Sequence, residues 1–131
     1  MALWSYTRLN DPRWTFLDRH ILVRQDPAVV PPMKFGAGNR QGWCAYLNGG
    51  ELLLKRFPWQ DQASYPDDGC NNEVFVNGDM LEIESLGPLT ALAPGATVEH
   101  VETWHYAAGL PAATDSAGLD QILLPLLAAC R

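Results

Sequence analysis

Apolar and polar positions along this chain change places in short bursts, and most bursts carry the period of a β-strand. The segments "LWSYT" (3–7), "HILVRQ" (20–25), "WCAYL" (43–47), "ELLLKRF" (51–57), "EVFVN" (73–77), "MLEIESL" (80–86) and "TVEHVETWHY" (97–106) are rich in β-branched and aromatic residues. Turn-forming residues bound them, so each predicts a strand. "NGG" (48–50) predicts a tight hairpin between two of them, and "APG" (93–95) a turn before the last. "DPAVVPP" (26–32) reads as a proline-rich loop and "PWQDQASYPDDGCNN" (58–72) as a long polar one.

The period changes once, near the end. In "DSAGLDQILLPLLAAC", Leu119, Ile122, Leu123, Leu126 and Leu127 recur at helical spacing behind Asp115 and Ser116 as N-cap candidates. Pro125 predicts a kink or an early end. The expected architecture is mainly β: one antiparallel β-sandwich domain over 1–131. Its strands run from about 2 to 107, and one C-terminal helix over about 115–130 packs on them.

Composition narrows the partners. The 131 residues are 47% hydrophobic, enough for a folded core, and carry Lys plus Arg 9 against Asp plus Glu 15, a net charge of -6. No basic cluster offsets that charge, so neither nucleic acid nor an anionic membrane surface is expected as a partner. Cys44, Cys70 and Cys130 have neither zinc-site nor disulfide-framework spacing and predict free thiols in a reducing compartment. With no signal-peptide pattern and no long apolar run, a soluble cytoplasmic protein without metal or cofactor is expected.

Strand alternation sorts the polar residues onto faces. Met80, Glu82, Glu84 and Leu86 share one side of their strand, opposite Leu81, Ile83 and Ser85, which puts the two carboxylates roughly 7 Å apart. On the last strand Val98, His100, Glu102, Trp104 and Tyr106 share a side. Such a face suits a sugar, with carboxylates on its hydroxyls and an indole against its C–H face; a solvated outer sheet face has the same composition. Lys55 and Arg56 end one strand and Glu73 begins another, which predicts a salt bridge among them. His20 is expected at the surface and Cys44 in the core. "GAGNRQG" (36–42) is glycine-rich, but no helix follows it, so it is not a phosphate loop.

Taken in order, "WSYTRLNDPRW", "KFGAGNRQGWCAYLNGGELLLKRF", "YPDDGCNNEVFVNGDMLEIESLGPL" and "MLEIESLGPLTALAPGATVEHVETWHY" resemble the galactose mutarotase-like (aldose 1-epimerase-like) superfamily, in an uncharacterised bacterial branch. The resemblance covers about residues 2–107 and the later part of that family's domain only. It implies part of a β-supersandwich that recognises sugars in a groove on one sheet. It places Glu82 at the family's general base, on a concave surface near Lys55, Glu73 or Trp104. The sugar-binding candidates are then Lys55, Glu73, Glu84, His100 and Trp104. The family's acid histidine has no counterpart in the matched segments, since His100 and His105 belong to the last strand.

The leading expectation is therefore a carbohydrate-recognising, mutarotase-like protein, with or without catalysis. The alternatives are a non-enzymatic homo-oligomeric assembly or adaptor protein that retains the fold, and an aldose 1-epimerase-type isomerase completed by a second chain. A homodimer is expected, because strand edges and apolar sheet faces left open by a partial sandwich need covering.

Overall fold

The computed structural model describes residues 1–130. The fold is mainly β, with nine strands among the described residues, every pairing antiparallel, and a C-terminal helix. β1 (Ala2–Leu3), β4 (Met33–Ala37), β7 (Asn72–Val76) and β8 (Leu81–Ser85) form a four-stranded sheet in the order β1-β4-β7-β8. β5 (Trp43–Asn48), β6 (Glu51–Arg56) and β9 (Thr103–Ala107) form a three-stranded sheet in the order β5-β6-β9. β2 (Trp14–Phe16) and β3 (Ile21–Val23) make a separate ribbon. α1 (Pro66–Gly69) is a single turn, and α2 spans Ser116–Ala129.

Two cores follow from the alternation. On one face of the four-stranded sheet, Met33, Phe35 and Val76 pack with Trp14 of the ribbon, and Val23, Val74 and Leu81 close around them. On the three-stranded sheet, Leu52 and Leu54 meet Leu119, Ile122 and Leu123 of α2. The ribbon serves both cores, because Trp14 and Val23 face one and Leu22 the other. His20 and Arg19 at its tip reach Asp120 of α2.

The predicted NGG hairpin is present: Gly49 and Gly50, at φ 58 and 80, join β5 to β6. Both lie in the left-handed region where a side chain is strained, which is why two glycines stand there. The predicted helix is present too, with the Asp115 carboxylate accepting from Gly118 N at 2.7 Å as its N-cap. It runs on through Pro125 to Ala129, so the proline neither ends nor shortens it.

Two expected strands need correction, and one strand of the structure was not expected. The strand predicted at 3–7 is only Ala2–Leu3, after which the chain turns. The strand predicted over 97–106 is regular only over Thr103–Ala107. Its partner β6 ends at Arg56, opposite Thr103, so residues before 103 have no strand to pair with. The central strand β4 was unforeseen because it lies between a proline-rich and a glycine-rich run. Its Gly36 is there for space: a Cβ would sit 2.7 Å from Cys70 Sγ.

The 26–32 loop is tied down by a buried arginine. Arg13 is 3% exposed, pairs with Asp11 at 2.7 Å, and donates to the Val29, Pro31 and Val76 carbonyls. No helix among the described residues is long and apolar enough to cross a membrane. The three cysteines are free.

Candidate functional site

The candidate residues fall into two ionic clusters, separated by which face of β8 they use. The first lies on the face of the four-stranded sheet away from its apolar core. The register places Lys34, Phe75 and Glu82 in one row and Gly36, Glu73 and Glu84 in the next. Lys34 Nζ sits 2.8 Å from Glu73 Oε2 and 3.0 Å from Glu84 Oε2, under the Trp4 ring at 4.9 Å. Burial alone would lower the Lys34 ammonium, but the two glutamates outweigh it and hold it above the ordinary lysine range. Glu73 is 2% exposed; burial pushes its carboxyl up, against Lys34 and with help from the neighbouring Asp67.

The second cluster lies at the seam between the sheets. Lys55, 6% exposed, extends from β6 to the β8 backbone, donating to the Ile83 carbonyl at 3.0 Å and pairing with Glu102 Oε1 at 2.8 Å. Trp104 Nε1 donates to Glu102 Oε2 at 2.8 Å, and Ser85 Oγ donates to Glu102 Oε1. His100 Nε2 lies 2.7 Å from the same Ser85 hydroxyl. Burial pushes the Glu102 carboxyl up, but donors from Lys55, Ser85 and Trp104 win and hold it down at about 2.

Proton counting assigns roles here. A serine hydroxyl has one proton to give. Ionised Glu102 can only accept, so that proton belongs to it, and His100 Nε2 must be the donor to Ser85 Oγ. Ser85 is therefore not arranged as a nucleophile activated by histidine, which requires the imidazole to take the hydroxyl proton. Glu102, ionised near neutral pH, is suited to accept hydrogen bonds from a ligand rather than to carry a proton.

Beyond this cluster the same face of the three-stranded sheet stays open. Cys44, Lys55 and Trp104 form one cross-strand row, and Tyr46, Leu53 and Tyr106 the next. Trp104 is 63% exposed and Tyr106 66%, with Tyr46 on the far side of Leu53. The Tyr106 phenol is raised by its hydrogen bond to Glu51. The result is a shelf of three aromatic rings, with the indole nitrogen fixed to a carboxylate.

The structure thus brings Lys55, His100 and Trp104 together and places Glu73 and Glu84 elsewhere, around Lys34. The salt bridge predicted among Lys55, Arg56 and Glu73 does not form: Lys55 holds Glu102, Glu73 holds Lys34, and Arg56 donates to the carbonyls of Leu127 in α2 and of Cys130 just after it. Glu82, expected on a concave surface, is exposed, with no hydrogen bond or ion pair among the described residues. Its row partner Lys34 turns instead to Glu73 and Glu84. His20, expected at the surface, is half-buried, 3.4 Å from Asp120 and packed edge-on against Trp43. Cys44 is only partly buried, and burial raises its thiol to about 11.

Lys34 and Tyr46 carry no signal in the sequence, and Ser85 and Glu102 stand there only as members of a strand face. Their importance comes from cross-strand register and from the meeting of two sheets. The one legible signal was the alternation of His100, Glu102 and Trp104. No group of His, Cys, Asp and Glu among the described residues is arranged to hold a metal ion. Comparison with protein-family models, with curated proteins and with solved structures finds no match for this chain.

Proposed function

We propose that this protein recognises carbohydrate on the aromatic shelf of its three-stranded sheet, as a mutarotase-like protein in which binding does not depend on catalysis. The observation that carries the proposal is Trp104, exposed yet locked by its indole nitrogen to Glu102. A fixed, open indole offers a flat surface to the C–H face of a sugar at small conformational cost. Glu102, Lys55 and His100 surround it with acceptors and donors for hydroxyl groups. The three free thiols fit a reducing, cytoplasmic setting.

Titration with a panel of free and phosphorylated hexoses, followed by tryptophan fluorescence and calorimetry, tests it. Saturable binding that Trp104→Ala removes supports the proposal. No binding by any hexose at millimolar concentration overturns it. Polarimetry on freshly dissolved aldoses separates binding from turnover.

A second reading, a homodimer, is favoured by a different observation. Residues 89–101 are exposed without interruption and include Leu89, Leu92, Val98 and Val101, outside any strand or helix. Exposed apolar runs of this kind mark interaction surfaces. Light scattering coupled to size exclusion decides it, since a mass near 14.5 kDa excludes the dimer.

A further inference from the structure

The basic side chains divide in a way that the proposed sugar shelf does not account for. Among the described residues Arg13, Arg19, Lys34 and Lys55 each hold a carboxylate. Arg8, Arg24, Arg40 and Arg56 hold no carboxylate of the described residues within 4 Å, in a chain where acids outnumber bases 15 to 9. Two of those four, Arg40 and Arg56, line one cavity of about 670 Å³. Arg40 comes from the glycine-rich 36–42 run, and Arg56 from the end of β6. The backbone clamps the two walls together, Phe57 N donating to Gly42 O at 2.9 Å.

The rest of the lining is aromatic, apolar and polar, with one acid, Asp61. The Arg40 guanidinium lies over the Trp59 ring at 5.9 Å, and Trp59 is stacked on buried Tyr65 at 4.6 Å and 5°. Trp59 Nε1 is fixed to Asp61 at 2.9 Å. Arg56 uses Nη1 on the Leu127 and Cys130 carbonyls, at 3.1 Å and 2.5 Å, which leaves its remaining donors without a partner among the described residues. Thr103 adds a hydroxyl on the opposite face of β9 from Trp104, so this cavity and the aromatic shelf are separate places.

We propose that this cavity is a binding site for a small ring molecule bearing an oxyanion, a carboxylate or a phosphate. Arg40 and Arg56 take the oxyanion, and the ring lies against the edge of Trp59, whose two faces are covered by Tyr65 and Arg40. The guanidinium fork matches both oxyanions, and its pairing with either is charge-assisted. A wall of fixed aromatic surface supplies the apolar contact that most ligand pockets need. In an acidic protein such a spot also concentrates anions that the rest of the surface repels.

The experiment titrates the full chain, by calorimetry and tryptophan fluorescence, with inorganic phosphate, glucuronate, glucose 6-phosphate and glucose. Glucuronate, glucose 6-phosphate or both should bind more tightly than inorganic phosphate and weaken with salt; which one binds distinguishes the two oxyanions. Arg40→Gln, at an exposed position that should leave folding intact, should lose about ten- to a hundredfold of that affinity. Arg40→Lys should recover only part of it. Trp104→Ala should leave anion binding unchanged, which keeps this test separate from that of the sugar shelf. The proposal is overturned if no anion binds at millimolar concentration, if Arg40→Gln binds as wild type does, or if glucose binds at the Arg40 site as well as the anions do.

Discussion

Glu102→Gln is the substitution that interrogates the seam most directly. It keeps the shape of the side chain but only one acceptor oxygen, where Ser85 and Trp104 donate to different oxygens, and it removes the charge that holds Lys55. Lys55 is 6% exposed and then has only the Ile83 carbonyl as a partner. The wild-type carboxyl moves from an ordinary 4.5 to about 2, which corresponds to about 3 kcal/mol in favour of the charged form. The Glu102 side chain is 21% exposed, and water screening brings the expected loss at neutral pH to about 1–2 kcal/mol. The folded-state pKa is the depressed one, so this stabilisation is fully present above about pH 4.5 and is lost as pH falls towards 2. Urea denaturation of both proteins at a series of pH values measures the gap. It should be widest at neutral pH, narrow below pH 4.5, and close near pH 2. A gap of constant size across that range, or none at pH 7, would refute the assignment of Glu102 as an ionised, hydrogen-bonded partner of Lys55.

Other positions make independent demands. Gly36→Ala forces a Cβ to 2.7 Å from Cys70 Sγ in the middle of β4, and should cost about 1–3 kcal/mol in denaturant melts. Asp115→Ala removes the N-cap of α2 and should cost about 1 kcal/mol, read from the same melts. Glu82→Gln should change stability by less than about 0.5 kcal/mol, because its exposed carboxylate holds nothing among the described residues. Truncation after Thr114 removes Leu119, Ile122 and Leu123 from the Leu52–Leu54 face, so the shortened chain should aggregate where the full chain remains monodisperse in light scattering.

Local pattern determined a good part of this molecule. The period-2 segments became β5, β6, β7 and β8, and two adjacent glycines made the turn between β5 and β6, because a left-handed backbone admits little else there. The period-3.6 leucines made α2 and chose its buried stripe, and Asp115 marked its start. Each of these depends on residues within a few positions of one another. Tertiary structure decided the rest. β4 is central although its flanks read as loops, because its neighbours β1 and β7 lie far from it in sequence and complete its hydrogen bonds. The last strand stops at Thr103 because Arg56, the end of its partner, sets the limit. Alternation did place Glu82 and Glu84 on one face. It could not reveal that Lys34, about fifty positions from Glu84, would meet Glu84 and Glu73 and leave Glu82 in solvent. Nor could it show that Lys55 would cross to β8 and gather Glu102, Ser85 and Trp104 at the seam. Register between distant strands and the approach of one sheet to another are properties of the packed chain. A charged side chain takes its role from whichever partner that packing brings within hydrogen-bond reach.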